Sequence, residues 1–271
     1  MKLIIIGEKI NGSIPRTAKA IENHDEAYIR ELALKQSEFG ADYLDVNAGT
    51  SPEVERDTLR WLINIVQDTV DTPLCIDSSS IDVILEMLPL AKRPGMINSV
   101  SEEGNKCERL MPKIADTEWN IIGLTCDNDG IPTDAAAKFE IACTIVEKAA
   151  GYGIGQSRLF IDPLVLTIGT TQTALITFNE ALGMIKQKYP AVHITSGLSN
   201  VSYNMPYRKA INQAFLILAM GVGMDSAIMD PTSADMRAAL YATQMLLGQD
   251  EYCMEYINAF RNGIIGPPKK D

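Results

Sequence analysis

Short apolar runs recur along the chain, and each of them ends in polar residues. The first run, 3–7, is followed by Glu8, Lys9 and Asn11. Short and wholly apolar runs are typical of parallel strands that are covered on both faces. The pattern therefore predicts eight strands, over residues 3–7, 43–49, 74–78, 95–100, 121–127, 159–164, 192–194 and 226–231.

The segments between these strands carry apolar residues at helical spacing, as Trp61, Leu62, Ile65 and Val66 do in one of them. Helices are predicted over 14–22, 26–39, 53–70, 81–90, 105–116, 135–150, 172–188, 209–220, 234–247 and 252–261. Eight alternating strand–helix units without a linker predict an α/β fold, a closed (β/α)8 TIM barrel that forms a single domain. The predicted domain spans 1–262, and 263–271 is expected to be a flexible C-terminal tail.

An open, doubly wound sheet is the alternative to a barrel. That fold binds dinucleotides through a glycine-rich turn between its first strand and first helix. No predicted strand–helix junction carries the sequence G-x-G-x-x-G, and the chain has no G-x-x-x-x-G-K-[ST] phosphate loop. The sequence therefore favours the barrel.

The net charge, the cysteines and the longest apolar run indicate which partners and which cellular location to expect. The net charge is −11, which disfavours binding to nucleic acid. The five cysteines are odd in number and none are in C-x-x-C spacing, so we expect reduced thiols in a cytoplasmic protein and no metal cluster. The longest apolar run, 214–224, contains two glycines and is shorter than the roughly 20 residues of a membrane span, which predicts a buried helix.

The C-terminal ends of the strands carry the candidate chemistry, because the active sites of such barrels lie there. Most of the polar residues at these strand ends are acids and amides, and Lys9 is the one cation among them. Taken singly, an aspartate at a strand end is about twice as often an N-cap as a ligand. The whole set fits a neutral heterocycle rich in N–H donors, such as a pterin, although Mg²⁺ is also compatible. The set is Glu8, Asn11, Asp45, Asn47, Asp77, Asn98, Asp127, Asn128, Asp162, Ser199, Asn200 and Asp230.

Seven motifs at these strand ends carry a resemblance to a known family. They are IGEKING at 6–12, LDVN at 44–47, CIDS at 75–78, MINS at 96–99, IGLT at 122–125, FIDPL at 160–164 and GLSNVS at 197–202. In these motifs the chain resembles the methyltetrahydrofolate:corrinoid-protein methyltransferases, which belong to the pterin-binding TIM-barrel superfamily together with dihydropteroate synthase. The resemblance covers nearly the whole chain.

The resemblance implies roles for individual residues. Asp77, Asn98 and Asp162 would hydrogen-bond the pterin ring. Asn200 would reach N5, the nitrogen that carries the methyl group, and is the predicted catalytic residue. The remaining candidates for the pocket wall are Gly197, Ser199 and, as a second group, Glu8, Asn11, Asp45, Asn47, Ser202 and Tyr203. Tyr203 stands where the family can carry a glutamine that contacts the pterin.

The resemblance also implies an activity and partners. The family moves a methyl group between N5 of tetrahydrofolate and the cobalt of a corrinoid, in either direction. The chain has no D-x-H-x-x-G corrinoid signature, so a separate corrinoid protein is expected to supply the cobalamin. A homodimer built on the apolar late helices is a further expectation. We expect no tightly bound metal, no nucleic acid and no membrane partner.

Three other functions remain open on the sequence. A dihydropteroate synthase needs basic residues at the seventh and eighth strand ends, and residues 197–200 and 228–231 contain none. A non-catalytic folate-binding or corrinoid-docking protein would use the same pocket without transferring a methyl group. A metal-dependent lyase would use Asp45, Asp77 and Asp162 as ligands.

Overall fold

The computed structural model describes residues 2–267. Within them the strands are β1 Ile4–Asn11, β2 Tyr43–Asn47, β3 Leu74–Asp77, β4 Met96–Glu102, β5 Asn120–Asp127, β6 Leu159–Asp162, β7 His193–Ile194 and β8 Ser226–Met229. The α-helices of this part are α1 Pro15–Glu22, α2 Glu26–Glu38, α3 Pro52–Gln67, α4 Ile81–Met87, α5 Lys106–Ile114, α6 Ala135–Gly151, α7 Ala174–Lys188, α8 Arg208–Val222, α9 Ala234–Leu246 and α10 Met254–Arg261.

The strands form one parallel sheet that closes on itself. Neighbours pair in the order β7, β6, β5, β4, β3, β2, β1, β8. Between β8 and the chain that follows β7, the Ile228 N–H donates to Ser196 O over 2.9 Å, and the Asp225 N–H donates to Ile194 O over 3.3 Å. The predicted (β/α)8 barrel is therefore confirmed.

The apolar core has two layers. The inner layer fills the barrel with Ile6, Cys75, Met96, Ile122 and Phe160, none of which is more than 2% exposed. The larger outer layer lies between the strands and the surrounding helices. Because side chains fill the interior of the barrel, the strand ends are where a pocket can open.

Strand β1 contains a bulge. Gly7 pairs with Leu44 of β2 and Ile10 pairs with Val46, so two residues of β1 face one residue of β2. An extra residue leaves backbone groups unpaired at the point where it is inserted.

Two buried side chains satisfy the backbone of this bulge. The Lys9 N–H donates to Gln36 Oε1 over 2.9 Å, and Thr17 Oγ1 donates to Lys9 O over 3.1 Å. Gln36 and Thr17 are both fully buried. A Cβ at Gly7 would lie 2.5 Å from Gln36 Oε1, so this close approach requires a glycine.

Strand β7 is shorter than predicted, because the chain leaves the sheet soon after Ile194. It then forms a 3₁₀ turn, Leu198–Ser202, whose apolar residues Leu198 and Val201 are 2% and 3% exposed. Burial of these two side chains anchors the turn across the mouth of the barrel.

The helices and the end of the chain bear on two other expectations. Among residues 2–267, no helix is both long enough and apolar enough to cross a membrane. Within the predicted tail, Ile265 is 4% exposed, and Ile264 O accepts a 3.0 Å hydrogen bond from Arg237 Nε. Residues 268–271 of that tail lie outside the described residues, and the domain boundary at 262 stays a prediction.

Candidate active site

A cavity of about 780 Å³ opens at the C-terminal ends of the strands. Of the twelve residues that the family resemblance predicts for the pterin pocket, ten line this cavity. They are Glu8, Asn11, Asp45, Asn47, Asp77, Asn98, Asp162, Gly197, Ser199 and Asn200. The volume is in the range of roughly 300–1,000 Å³ that small-molecule sites occupy.

Strand register brings the deepest polar side chains side by side. Asn47 pairs with Asp77 across β2 and β3, and Asp77 pairs with Asn98 across β3 and β4. Asn98 Nδ2 donates to Asp45 Oδ1 over 3.2 Å. Acids and amides therefore alternate along the inner wall of the cavity.

Asp45 and Asp77 interact directly, and burial is the largest influence on the ionisation of both. Burial raises the pKa of Asp45 to about 6, against the hydrogen bond from Asn98. Burial, followed by the charge of Asp45, raises the pKa of Asp77 well above its usual value. Burial thus disfavours the charged form of both acids, so each takes up a proton more readily than an exposed aspartate does. Among residues 2–267, no group of three or more His, Cys, Asp or Glu side chains could hold a metal ion.

Asp162 is held by backbone N–H groups. Its Oδ1 accepts from the Leu164 N–H over 2.7 Å, and its Oδ2 accepts from the Gly197 N–H over 3.1 Å. Burial raises the pKa of this carboxyl to about 6, although both hydrogen bonds and the charge of Lys138 oppose the rise. The carboxylate is therefore oriented before any ligand binds.

The turn after β7 places Asn200 beside the strand end. A Cβ at Gly197 would lie 2.8 Å from Asn200 Nδ2, so the glycine makes room for this amide. Ser199 Oγ donates to Glu8 Oε2 over 3.2 Å, which links the turn to β1 across the cavity.

Glu8 projects into the cavity from the bulge of β1. Burial, followed by the charge of Asp230, raises the pKa of Glu8 to about 7, against the hydrogen bond from Ser199 and the charge of Lys9. Lys9 Nζ lies 3.4 Å from Asp230 Oδ2. A substantial fraction of Glu8 is thus protonated at neutral pH.

Ser202 and Tyr203, two candidates for the pocket wall, are not among the residues that line the cavity. Ser202 is fully buried beneath the turn, where its Oγ donates to Ser199 O over 3.2 Å and accepts from Arg208 Nε over 3.0 Å. The Tyr203 side chain is 61% exposed and lies outside the cavity wall, because the chain leaves the turn at this residue. Ser202 therefore supports the turn.

The cavity is lined by cations beyond Lys9, which is the one cation at the strand ends. Arg208, Lys209 and Asn212 of α8 line the outer part of the cavity. Arg208 Nη2 donates to Ser199 O over 2.7 Å. These residues belong to the first turns of the helix that follows the β7 turn, so the pattern of strand ends does not include them.

Lys138 of α6 is a further residue that the sequence analysis missed. It is 1% exposed, and its Nζ donates to Pro163 O over 2.6 Å and to Leu164 O over 2.8 Å. The sequence does indicate its burial, because Lys138 lies at helical spacing from the apolar Ile141 and Ile145 and so shares their face of the helix.

Comparisons with known proteins identify the family of the chain. A family profile described as "Pterin binding enzyme" matches residues 13–230. The chain is 49% identical over 267 residues to a methylcorrinoid:tetrahydrofolate methyltransferase of Eubacterium limosum, a match that covers 98% of each protein. It is 29% identical over 241 residues to a methionine synthase of Mycobacterium tuberculosis, covering 83% of this chain and 20% of that protein.

Solved structures with lower identity share the barrel. A dihydropteroate synthase of Xanthomonas albilineans, in complex with 7,8-dihydropteroate, aligns with a TM-score of 0.67 at 19% identity over 91% of this chain and 93% of that one. The dihydropteroate synthase of Thermus thermophilus aligns with a TM-score of 0.67 at 18% identity, over 91% and 94% of the two chains. At this identity the likeness concerns the fold.

A parallel barrel with acids and amides around its mouth is suited to holding a small heterocycle at its strand ends. The chain belongs to the pterin-binding enzyme family, and within it to the methyltetrahydrofolate:corrinoid methyltransferases. The resemblance noted in the sequence is thereby confirmed.

Proposed function

We propose that the protein transfers a methyl group between N5 of tetrahydrofolate and the cobalt of a corrinoid. The observation that carries this proposal is the match, at 49% identity over 98% of both chains, to a relative named for that reaction. The acids and amides of the cavity support it, because the chain presents acceptors where a pterin presents N–H donors.

In this proposal Asp77, Asn98 and Asp162 hold the pterin ring. The ring amine and its neighbouring N–H lie side by side, and one carboxylate can accept both bonds. The pKa values of Asp77 and Asp162 are raised mainly by burial, which disfavours the charged form of each acid. Ring N–H groups would donate to the ionised carboxylates and bring both pKa values down again.

Asn200 is the residue that we assign to N5. In the transfer to folate, the N5 lone pair displaces the methyl carbon from cobalt, the bonding electron pair stays on cobalt, and N5 releases its proton to water. In the reverse transfer, cobalt(I) attacks the methyl carbon, the N5–methyl bond breaks with its electron pair left on N5, and N5 takes up a proton from water. An amide suits both directions, because Asn200 can accept from N5–H through Oδ1 and donate to N5 through Nδ2.

The corrinoid is a substrate that a separate protein carries, and we propose that this protein docks over the barrel mouth. The segment between the β7 turn and α8 presents aromatic side chains for such contact, since Tyr203 is 61% exposed and Tyr207 is 80% exposed. Tyr is enriched in the contact surfaces of protein complexes.

We further propose a homodimer formed by the late helices. Large apolar side chains are exposed on α8 and near the C-terminal end, including Leu218 at 51%, Leu246 at 79% and Phe260 at 58%. Exposed apolar clusters mark interaction surfaces. All five cysteines are free thiols, which is consistent with the expected cytoplasmic location.

The test combines the protein with free cobalamin under anaerobic conditions. Methylcobalamin with tetrahydrofolate should yield methyltetrahydrofolate, and methyltetrahydrofolate with reduced cobalamin should yield methylcobalamin. Cobalamin absorbance and chromatography of the folates follow the two directions.

Two outcomes would replace the proposal. Tight folate binding without transfer to any corrinoid would indicate a folate-binding protein. Dihydropteroate formed from a pterin diphosphate and p-aminobenzoate would indicate a synthase, the alternative that Arg208 and Lys209 at the cavity mouth make worth testing.

A further inference from the structure

Lys138 places a charged amine in the outer apolar layer of the barrel. It is 1% exposed and shares one face of α6 with Ile141 and Ile145, which are at most 8% exposed. Lysine is rarely fully buried unless it is paired. Among residues 2–267, no carboxylate forms an ion pair with Lys138, and its hydrogen-bond partners are the carbonyls of Pro163 and Leu164.

Those two carbonyls belong to the two residues that immediately follow Asp162 in the chain. Leu164 has a φ of 52°, a left-handed conformation that is costly for a residue other than glycine. In this conformation the Leu164 N–H donates to Asp162 Oδ1, while the Leu164 carbonyl accepts from Lys138. The lysine thus binds the far side of the loop that orients the carboxylate.

The charge of Lys138 also acts on Asp162. Burial raises the pKa of Asp162, and the lysine is the cation that opposes the rise. The titratable groups that face Lys138 are Asp162 of β6, Asp134, the N-cap of α6, and Cys126 of β5, whose thiol pKa is raised by burial. Lys9, a cation that lines the cavity, lies instead against Asp230.

We propose that Lys138 is a positioning residue for Asp162: from behind the cavity wall, its ammonium group holds the 163–164 loop and keeps the Asp162 carboxylate aimed at the ligand and negatively charged. The choice of a pterin as that ligand rests on the proposed function, whereas the effect on Asp162 does not.

A measurement on the free protein tests this effect without any ligand. The ¹³C carboxyl resonance of Asp162, assigned through Asp162→Asn, is followed by NMR against pH. Lys138→Gln removes the charge but can still donate to a carbonyl, and it should raise the midpoint by up to about one pH unit. Lys138→Arg keeps the charge and should restore a midpoint near that of the wild type.

Lys148→Gln is the matched control, because Lys148 lies on the same helix but pairs with Glu102 and Glu108. Its Asp162 midpoint should equal that of the wild type. If Lys138→Gln does not fold, as judged by circular dichroism, Lys138→Met takes its place. An unchanged Asp162 midpoint in the folded Lys138 variant would overturn the proposal.

Folate binding supplies the second readout. If the ligand requires ionised Asp162, a rise in the midpoint from about 6 to about 7 weakens binding about fivefold at pH 6 and about twofold at pH 7. An equal loss at every pH would indicate a purely structural role and would count against the proposal. Absence of folate binding by the wild type would contradict the proposed function, while the NMR midpoint would still decide the role of Lys138.

Discussion

Aspartates that are partly or fully buried have opposite pKa shifts at the two ends of the barrel. At the N-terminal end, Asp225 accepts from Lys186 Nζ over 2.7 Å and from the Ile194 N–H over 2.7 Å, and its Oδ2 lies 3.1 Å from His193 Nδ1. Burial raises the pKa of Asp225, but the hydrogen bonds from His193 and Lys186 outweigh burial, so the pKa lies below its usual value. At the C-terminal end, Asp45 and Asp162 have pKa values of about 6.

Burial is common to both ends, so the difference lies in the partners. Asp225 has its hydrogen-bonding capacity filled by the protein, and its ionised form stabilises the native state. In the described part of the chain, the raised pKa values of Asp45 and Asp162 show that their partners do not offset burial, and a bound ligand can add the missing donors. We therefore expect that loss of the carboxylate at the opposite end lowers stability and leaves folate binding unchanged. Substitutions at the mouth should change catalysis and binding, and removal of an acid whose pKa is raised should also increase stability.

The largest expected effect belongs to Asn200→Ala. Loss of the amide beside N5 should lower the rate of methyl transfer by about tenfold to a thousandfold, because a donor is lost where charge changes in the transition state. The rate is measured at saturating folate. Asn23→Ala is the matched control, since Asn23 is an exposed residue that bonds the Lys19 carbonyl. An Asn200→Ala variant with the wild-type rate would refute the assignment.

Asp225→Asn should give the largest loss of stability. It leaves Lys186 and His193 without their carboxylate, and the free energy of unfolding in urea should fall by about 3 kcal/mol at pH 7. The stabilisation comes from a lowered pKa, so it is present at neutral pH and is lost as pH falls through the folded-state pKa. The affinity for tetrahydrofolate should stay the same.

Asp68→Asn serves as the control for that experiment, because Asp68 pairs with Lys92 on the surface at 58% and 60% exposure. Its urea midpoint should remain close to that of the wild type. A similar loss of stability in both variants would show that the Asp225 cluster stabilises the fold no more than a surface ion pair does.

Asp45→Asn should raise the free energy of unfolding, whereas Asp225→Asn should lower it. The pKa of Asp45 is raised to about 6, so ionisation between about pH 4 and pH 6 costs the native state stability. The amide does not ionise and should therefore stabilise the free protein above pH 6, by an amount on the order of 2 kcal/mol. The gain should vanish below pH 4. Urea unfolding at pH 4 and pH 7.5 measures it, and a less stable variant at pH 7.5 would contradict the comparison.

The smallest effect is expected for Tyr203→Gln. The side chain lies outside the cavity wall, so the dissociation constant for tetrahydrofolate should change by less than about twofold. Isothermal titration calorimetry measures the constant. A tenfold change would mean that Tyr203 reaches the bound pterin after all, and would extend the ligand-facing surface beyond the present mouth.

The sequence predicted the barrel and most of the mouth, because both follow from a local pattern. An apolar run that ends in Asp77 or Asn98 predicts the strand and its polar end together, and parallel strands bring those ends to one edge. Tyr203 was included through its position in a family motif, yet a motif position does not say where a turn ends. Lys138 and Arg208 were missed because their helices bring them to the site by tertiary packing.

The bulge in β1 changes which side chains of that strand face the cavity. In a regular strand alternate residues face one side, so Glu8 would be followed on the cavity side by Ile10. With one residue inserted, Glu8, Lys9 and Asn11 all line the cavity while Ile10 remains in the apolar layer. An extra backbone unit, held by Gln36, thus gives a single strand three polar side chains at the mouth without exposing an apolar one.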